Sequence, residues 1–111
     1  MAYRVTLIEG DGIGPEVTGA TCEILRAAGA PVEWERVPAG MQAFEACGDA
    51  LPDAVIASLR KNRVGLKGPL QTPKGGGYRS ANVRLRQALQ LYVGWRPVLS
   101  IPGVATRYDD V

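Results

Sequence analysis

The junction near the start of the chain constrains the fold most. A short run of β-forming residues, Tyr3–Ile8, gives way at once to Glu9-Gly10-Asp11-Gly12-Ile13-Gly14-Pro15, and a helical pattern follows over residues 15–28. Pro15 suits a first helical turn, where its missing N–H has no partner to lose. Val17, Ala20, Ile24, Leu25 and Ala28 recur at helical spacing, which predicts one apolar face, and Gly29 predicts the stop. The alternation continues down the chain. Residues 32–37 alternate apolar and charged side chains, as a half-exposed strand does, and Met41–Cys47 reads as a short helix closed by Gly48. Residues 52–62 read as a helix with Pro52 and Asp53 in its first turn and Val55, Ile56 and Leu59 inward. A short buried-type strand is expected at 63–67. A loop over 68–79 leads to a helix from an N-cap at Ser80 to about residue 92, with Leu85, Leu89 and Tyr92 on one face. The last strand expected is 93–99, and 100–111 reads as loop.

Strands alternating with helices imply an α/β layer with at least some parallel pairing. A sheet of about four strands leaves open edges, so the chain reads as an incomplete fold and self-association is expected. At 111 residues it fits one domain, and its 46% hydrophobic and 22% charged content predicts a packed core rather than disorder. No stretch approaches the roughly 18 apolar residues of a membrane span, nor a signal peptide, and a reduced, cytoplasmic setting is the plain expectation.

The net charge of +2 is too small to argue for nucleic acid. Its distribution says more. Residues 60–96 hold Arg60, Lys61, Arg63, Lys67, Lys74, Arg79, Arg84, Arg86 and Arg96 and no acid. This suggests a small anionic ligand, with a solvated basic surface as the plainer alternative. The chain has no histidine, and Cys22 and Cys47 show no metal-ligand spacing, so histidine-based catalysis and histidine–metal sites are excluded within it.

Gly10, Gly12 and Gly14 invite a dinucleotide-binding reading, but the fingerprint needs a glycine three residues after the second, and position 15 is proline. A tight strand-to-helix turn explains them. Gly75-Gly76-Gly77 is equally open to reading as a connector.

The chemistry concentrates in residues 67–97. A helix starting at Ser80 offers backbone amides and a dipole that favour an anion. Asn82 and Arg86 are four apart and share a helical face. Arg79 precedes the cap, and Arg96 leaves the strand expected after the helix. Arginine is the fitting cation, because its planar fork binds a carboxylate in two places. Singly, each residue has a bland reading: Ser80 or Asn82 as a cap, Arg84 and Arg86 as solvated surface, Arg96-Pro97 as a strand end.

Two separated segments together resemble one family, the isocitrate and isopropylmalate dehydrogenases. One is Leu7-Ile8-Glu9-Gly10-Asp11-Gly12-Ile13-Gly14-Pro15-Glu16. The other is Lys67-Gly68-Pro69-Leu70 with Thr72-Pro73, Gly75-Gly76-Gly77, Arg79-Ser80, Asn82-Val83, Leu85-Arg86, Leu91-Tyr92 and Arg96-Pro97. The ending Pro102-Gly103 to Thr106-Arg107-Tyr108-Asp109-Asp110 resembles the NAD-dependent branch. The resemblance implies a partial dehydrogenase fold, a mixed sheet with flanking helices, with residues 1–111 as the N-terminal part of the large domain. It implies oxidative decarboxylation of isocitrate, a 2-hydroxy acid, with NAD or NADP and Mg2+ or Mn2+. Ser80, Asn82, Arg86 and Arg96 would bind the tricarboxylate, with Arg79 in support. Thr72 and Asn82 would lie near the nicotinamide and Ile13 near the adenosine, and Lys67 would help order the Thr72 loop. Ser80-x-Asn82 points to the isocitrate branch, since isopropylmalate dehydrogenases usually carry an acidic and an apolar residue there. In some bacterial relatives the matching serine is phosphorylated, which would set a phosphate against the substrate carboxylate.

Departures from the family pattern are Lys74, where relatives often have an apolar residue, and Gly94-Trp95, where Asn-Val is commoner. The family's catalytic tyrosine and lysine, its metal-binding aspartates and the segment that selects the cofactor lie beyond the matching stretch. The chain alone is therefore expected to be inactive, working as a homo-oligomer or with the rest of the enzyme. No nucleic-acid or membrane partner is expected. The alternative is a catalytically inactive, truncated or regulatory module that self-associates and binds small carboxylates.

Overall fold

A computed structural model describes residues 1–72, 79–105 and 107. Its elements are β1 (Tyr3–Ile8), α1 (Gly14–Ala27), β2 (Val32–Arg36), α2 (Met41–Cys47), α3 (Asp53–Asn62), β3 (Gly65–Lys67) and α4 (Ala81–Ala88). The Gly75-Gly76-Gly77 loop, Lys74, Thr106 and Tyr108-Asp109-Asp110 lie outside the described residues.

The strands form one sheet in the order β2-β1-β3. Both pairings are parallel, with Val5 beside Trp34 and Leu7 beside Leu66, where a mixed sheet was expected. The expected fourth strand is absent: residues 93–99 form no strand, and Val93, Trp95, Val98 and Leu99 are exposed. A β-favouring sequence makes a strand only against a neighbour, and among the described residues this one has none.

The first crossover runs from β1 to β2, and the second returns past β1 to β3. Right-handed crossovers therefore place α1 on one face of the sheet and α2 and α3 on the other. The core lies on the second face, where Ile8, Leu51, Val55, Leu70 and Leu85 pack together with Phe44, Ile56 and Leu59 around them. Thr6 points to the same side and meets Ser58 of α3 through a 2.8 Å hydroxyl contact.

On the other face α1 departs from its periodicity. Its buried residues are Gly14 and Thr18, while Val17 and Ile24 are exposed. The cause is close approach. A Cβ at Gly14 would overlap the Glu9 carbonyl, and one at Gly68 would come within 3.1 Å of the Thr18 methyl. The narrow stripe faces inward, and the Thr18 hydroxyl donates to the Gly14 carbonyl at 2.8 Å rather than to solvent.

The helix expected to reach residue 92 ends at Ala88. Gln90 adopts a φ of 53°, its N–H donates to the Gln87 carbonyl at 3.0 Å, and the Leu91 N–H donates to Arg86, also at 3.0 Å. This is a Schellman termination, usually built on glycine. Tyr92 is consequently exposed. No described helix is long and apolar enough to cross a membrane.

Candidate functional site

In an open parallel sheet, ligands bind outside the carboxyl ends of the strands where the strand order reverses. Here that point lies between β1 and β3. The glycine turn after β1 meets Gly68-Pro69 after β3: the Gly68 N–H donates to the Ile8 carbonyl at 2.8 Å and the Asp11 N–H to the Pro69 carbonyl at 2.7 Å. Gly10, at a φ of 85°, has no room for a Cβ, which would overlap the Pro69 carbonyl. The glycines thus form the tight turn their spacing implies, and they also let two strand ends touch.

Asp11 sits inside this junction, 8% exposed. One carboxylate oxygen accepts the Met41 N–H at the start of α2 and the other accepts the Gln71 N–H, each at 2.8 Å. In the sequence Asp11 reads as a turn residue and as one position of the glycine-rich family motif, with no role of its own. The available signal was an acid between two glycines, Gly10 and Gly12, at the entry to a helix.

Beside the junction, β3, α3 and α4 enclose an open cavity of about 520 Å³. Among the described residues, every charged side chain lining it is basic: Arg60, Arg63, Lys67 and Arg86. Asn82 joins Arg86 there, one helical turn apart on α4, as their spacing implies. Leu59, Leu85 and Leu89 make its apolar floor. Partial burial of the Lys67 ammonium, and secondly the positive charge of Arg86, push the Lys67 pKa down. The ammonium donates to the Gly68 carbonyl at 2.7 Å, and the Asn82 amide donates to the Leu70 carbonyl at 3.3 Å. Both hold the segment that leads to Thr72.

Ser80 occupies the N-cap position of α4, yet its side chain makes no capping hydrogen bond. Arg84 is paired with Asp49 rather than free on the surface. Thr72 is exposed at the end of the segment held by Asp11, and Ile13 is 68% exposed in the glycine turn. Arg96 is exposed and does not line the cavity that Asn82 and Arg86 share.

The sequence pattern of isocitrate/isopropylmalate dehydrogenases matches residues 4–110. The chain belongs to that family. It is 46% identical over 108 residues to the chloroplastic 3-isopropylmalate dehydrogenase of Solanum tuberosum, covering 97% of this chain and 30% of that protein. It is 47% identical over 108 residues to a probable NAD isocitrate dehydrogenase subunit alpha of Drosophila melanogaster, covering 97% and 29%. The isocitrate dehydrogenase structure from Methylococcus capsulatus superposes with a TM-score of 0.89 at 51% identity, covering 98% of this chain and 32% of that one. The chain thus spans about a third or less of the length of these relatives.

The fold is accordingly a partial isocitrate/isopropylmalate dehydrogenase fold, and the family's named members are dehydrogenases. Overall identity does not separate the two branches, since 46% and 47% are equivalent. The choice of substrate therefore falls to individual side chains. Among the described residues no three His, Cys, Asp or Glu side chains gather as a metal ion requires, so they offer no site for the divalent cation the family implies. Of the three residues expected near a nicotinamide cofactor, Asn82 lines the crevice, while Thr72 and Ile13 are exposed outside its lining.

Proposed function

We propose that this chain is the substrate-gripping segment of an NAD-linked isocitrate dehydrogenase, an enzyme that oxidises the secondary alcohol of isocitrate and releases carbon dioxide. The supporting observation is the basic cavity, in which Asn82 and Arg86 share one face of α4, Lys67 also lines the wall, and no acid stands among the described lining residues. A guanidinium fork binds one carboxylate in two places. The Ser80 hydroxyl, free of capping duty, and the Asn82 amide add neutral donors for another carboxylate, which an isopropyl group could not use. Ser80 and Arg96 stand outside the cavity's lining, so in this reading they would join the set from the start of α4 and from the segment after it.

A nicotinamide cofactor would supply the hydride acceptor for this oxidation. In this reading Thr72 and Asn82 orient its carboxamide end, and Ile13 lies against the adenosine part. Clustered positive charge holds a tricarboxylate in one pose, which converts an encounter of two molecules into an oriented pair. The proton released from the hydroxyl passes to a base outside the described residues.

Calorimetry with isocitrate and 3-isopropylmalate tests the reading. Isocitrate should bind more tightly, and Arg86→Ala should weaken it about tenfold or more, the scale of a hydrogen bond to a charged group. Mixing the chain with the remainder of a family enzyme should restore isocitrate-dependent NAD reduction. Equal affinity for the two acids, or no reduction on mixing, would defeat the proposal.

A second reading draws on the open sheet. Among the described residues, strands β2 and β3 are both edges, and Tyr92, Trp95 and Leu99 are exposed after α4. A module that self-associates without catalysis fits those features. Sedimentation showing a stable monomer counts against it.

A further inference from the structure

We infer that Asp11 is a positioning residue, whose carboxylate fixes the 68–72 segment and through it sets Thr72 and Asn82 for the ligands. This rests on the functional reading above, which gives those two residues their roles. The geometry is specific. Asp11 joins three segments that are far apart in sequence. Its carboxylate takes the Met41 and Gln71 N–H groups at 2.8 Å each, its own N–H donates to Pro69 at 2.7 Å, and its carbonyl accepts the Gly14 N–H at 2.9 Å. Gly40 makes room, because a Cβ there would overlap the carboxylate. A buried carboxylate is tolerable only when its lone pairs are met, and two backbone donors meet them here.

The two bonds do different things. The one to Met41 secures α2, which contributes to the core but lines no part of the basic cavity. The one to Gln71 holds the residue before Thr72, in a segment whose Leu70 carbonyl receives the Asn82 amide. Loss of the second bond frees Thr72 and removes the fixed acceptor that orients Asn82. Loss of the first only loosens α2.

Three variants of the full chain separate these effects. Asp11→Ala removes both bonds, and Asp11→Asn keeps the shape but can accept only one. Met41→Pro deletes the α2 donor alone at a first helical position, where proline is accepted. Isocitrate affinity by calorimetry should fall about tenfold or more in Asp11→Ala, the scale of a lost charge-assisted hydrogen bond. It should stay within about twofold of wild type in Met41→Pro, even though both variants melt earlier. Amide exchange at Gln71 and Thr72 should lose protection in Asp11→Ala and keep it in Met41→Pro. Asp11→Asn, which retains the fold if Asp11→Ala does not, should fall between in both measurements.

Equal affinity losses in Asp11→Ala and Met41→Pro would make Asp11 merely structural and overturn the inference. Unchanged Gln71 and Thr72 protection in the Asp11 variants would overturn it as well. If wild type itself ignores isocitrate, the functional reading fails, and the exchange measurement still decides whether Asp11 sets the segment.

Discussion

Arg84 Nη1 stands 2.6 Å from Asp49 Oδ1 and Nη2 3.3 Å from Oδ2, a two-pronged ion pair that ties α4 to the turn between α2 and α3. The pair sorts the arginines of α4. Arg84 is engaged in structure, while Arg86, on another face of the same helix, lines the basic cavity. Arg84→Ala is therefore expected to lower the melting temperature slightly and leave isocitrate affinity unchanged. Arg86→Ala should do the reverse. Paired calorimetry and thermal melts check this, and a comparable loss of affinity in both variants contradicts the assignment.

The same pair makes stability depend on acid. The Arg84 hydrogen bond first, and the Leu51 N–H second, hold the Asp49 carboxyl below its ordinary value of 3.8. A carboxyl whose folded pKa is depressed contributes stability that is complete above the unfolded value and fades as pH falls through the folded one. Denaturant midpoints should drop as pH falls below about 3.8. Asp49→Asn should flatten that part of the profile, and the change should be modest because both side chains are well exposed.

A polar knot joins α3 to the sheet. The Ser58 hydroxyl donates to Glu35 Oε1 at 2.8 Å and meets the Thr6 hydroxyl at 2.8 Å, and Asn62 donates to Thr6 at 2.9 Å. The Lys61 and Ser58 hydrogen bonds keep the Glu35 carboxyl below its usual range. Ser58→Ala strips a partner from a fully buried threonine, so a cost of about 1–3 kcal/mol is expected in urea unfolding. An unchanged midpoint would mean that Asn62 alone satisfies Thr6.

Much of this was legible before any coordinates. Tyr3–Ile8 and Met41–Cys47 fall as read, and α3 and β2 differ from expectation by one residue at one end. Proline, glycine and strict alternation are local signals, and local signals mark such boundaries well. Asn82 and Arg86 share the cavity because helical spacing dictates it. What failed depended on distant neighbours. The α1 helix turned Thr18 inward because Gly68, fifty residues on, approaches it. The 93–99 run found no strand to pair with among the described residues. Asp11 looked like a turn residue because its partners, Met41 and Gln71, are thirty and sixty positions away.

The end of α4 was missed for a different reason, and that reason can be tested. The same Schellman pattern closes α1, where Gly29 takes a φ of 72° and the Ala30 N–H reaches the Leu25 carbonyl at 3.0 Å. There a glycine announced the stop. At the end of α4 the left-handed position is filled by Gln90, whose Cβ makes that conformation unfavourable by roughly 1–2 kcal/mol. Glycine loses more freedom on folding, which offsets part of the gain. Gln90→Gly should thus raise stability by about 0.5–1 kcal/mol and leave α4 the same length. Gly29→Gln should cost a similar amount. Chemical denaturation of the two variants against wild type measures both, and a destabilised Gln90→Gly would show that the glutamine side chain contributes more than its backbone strain removes.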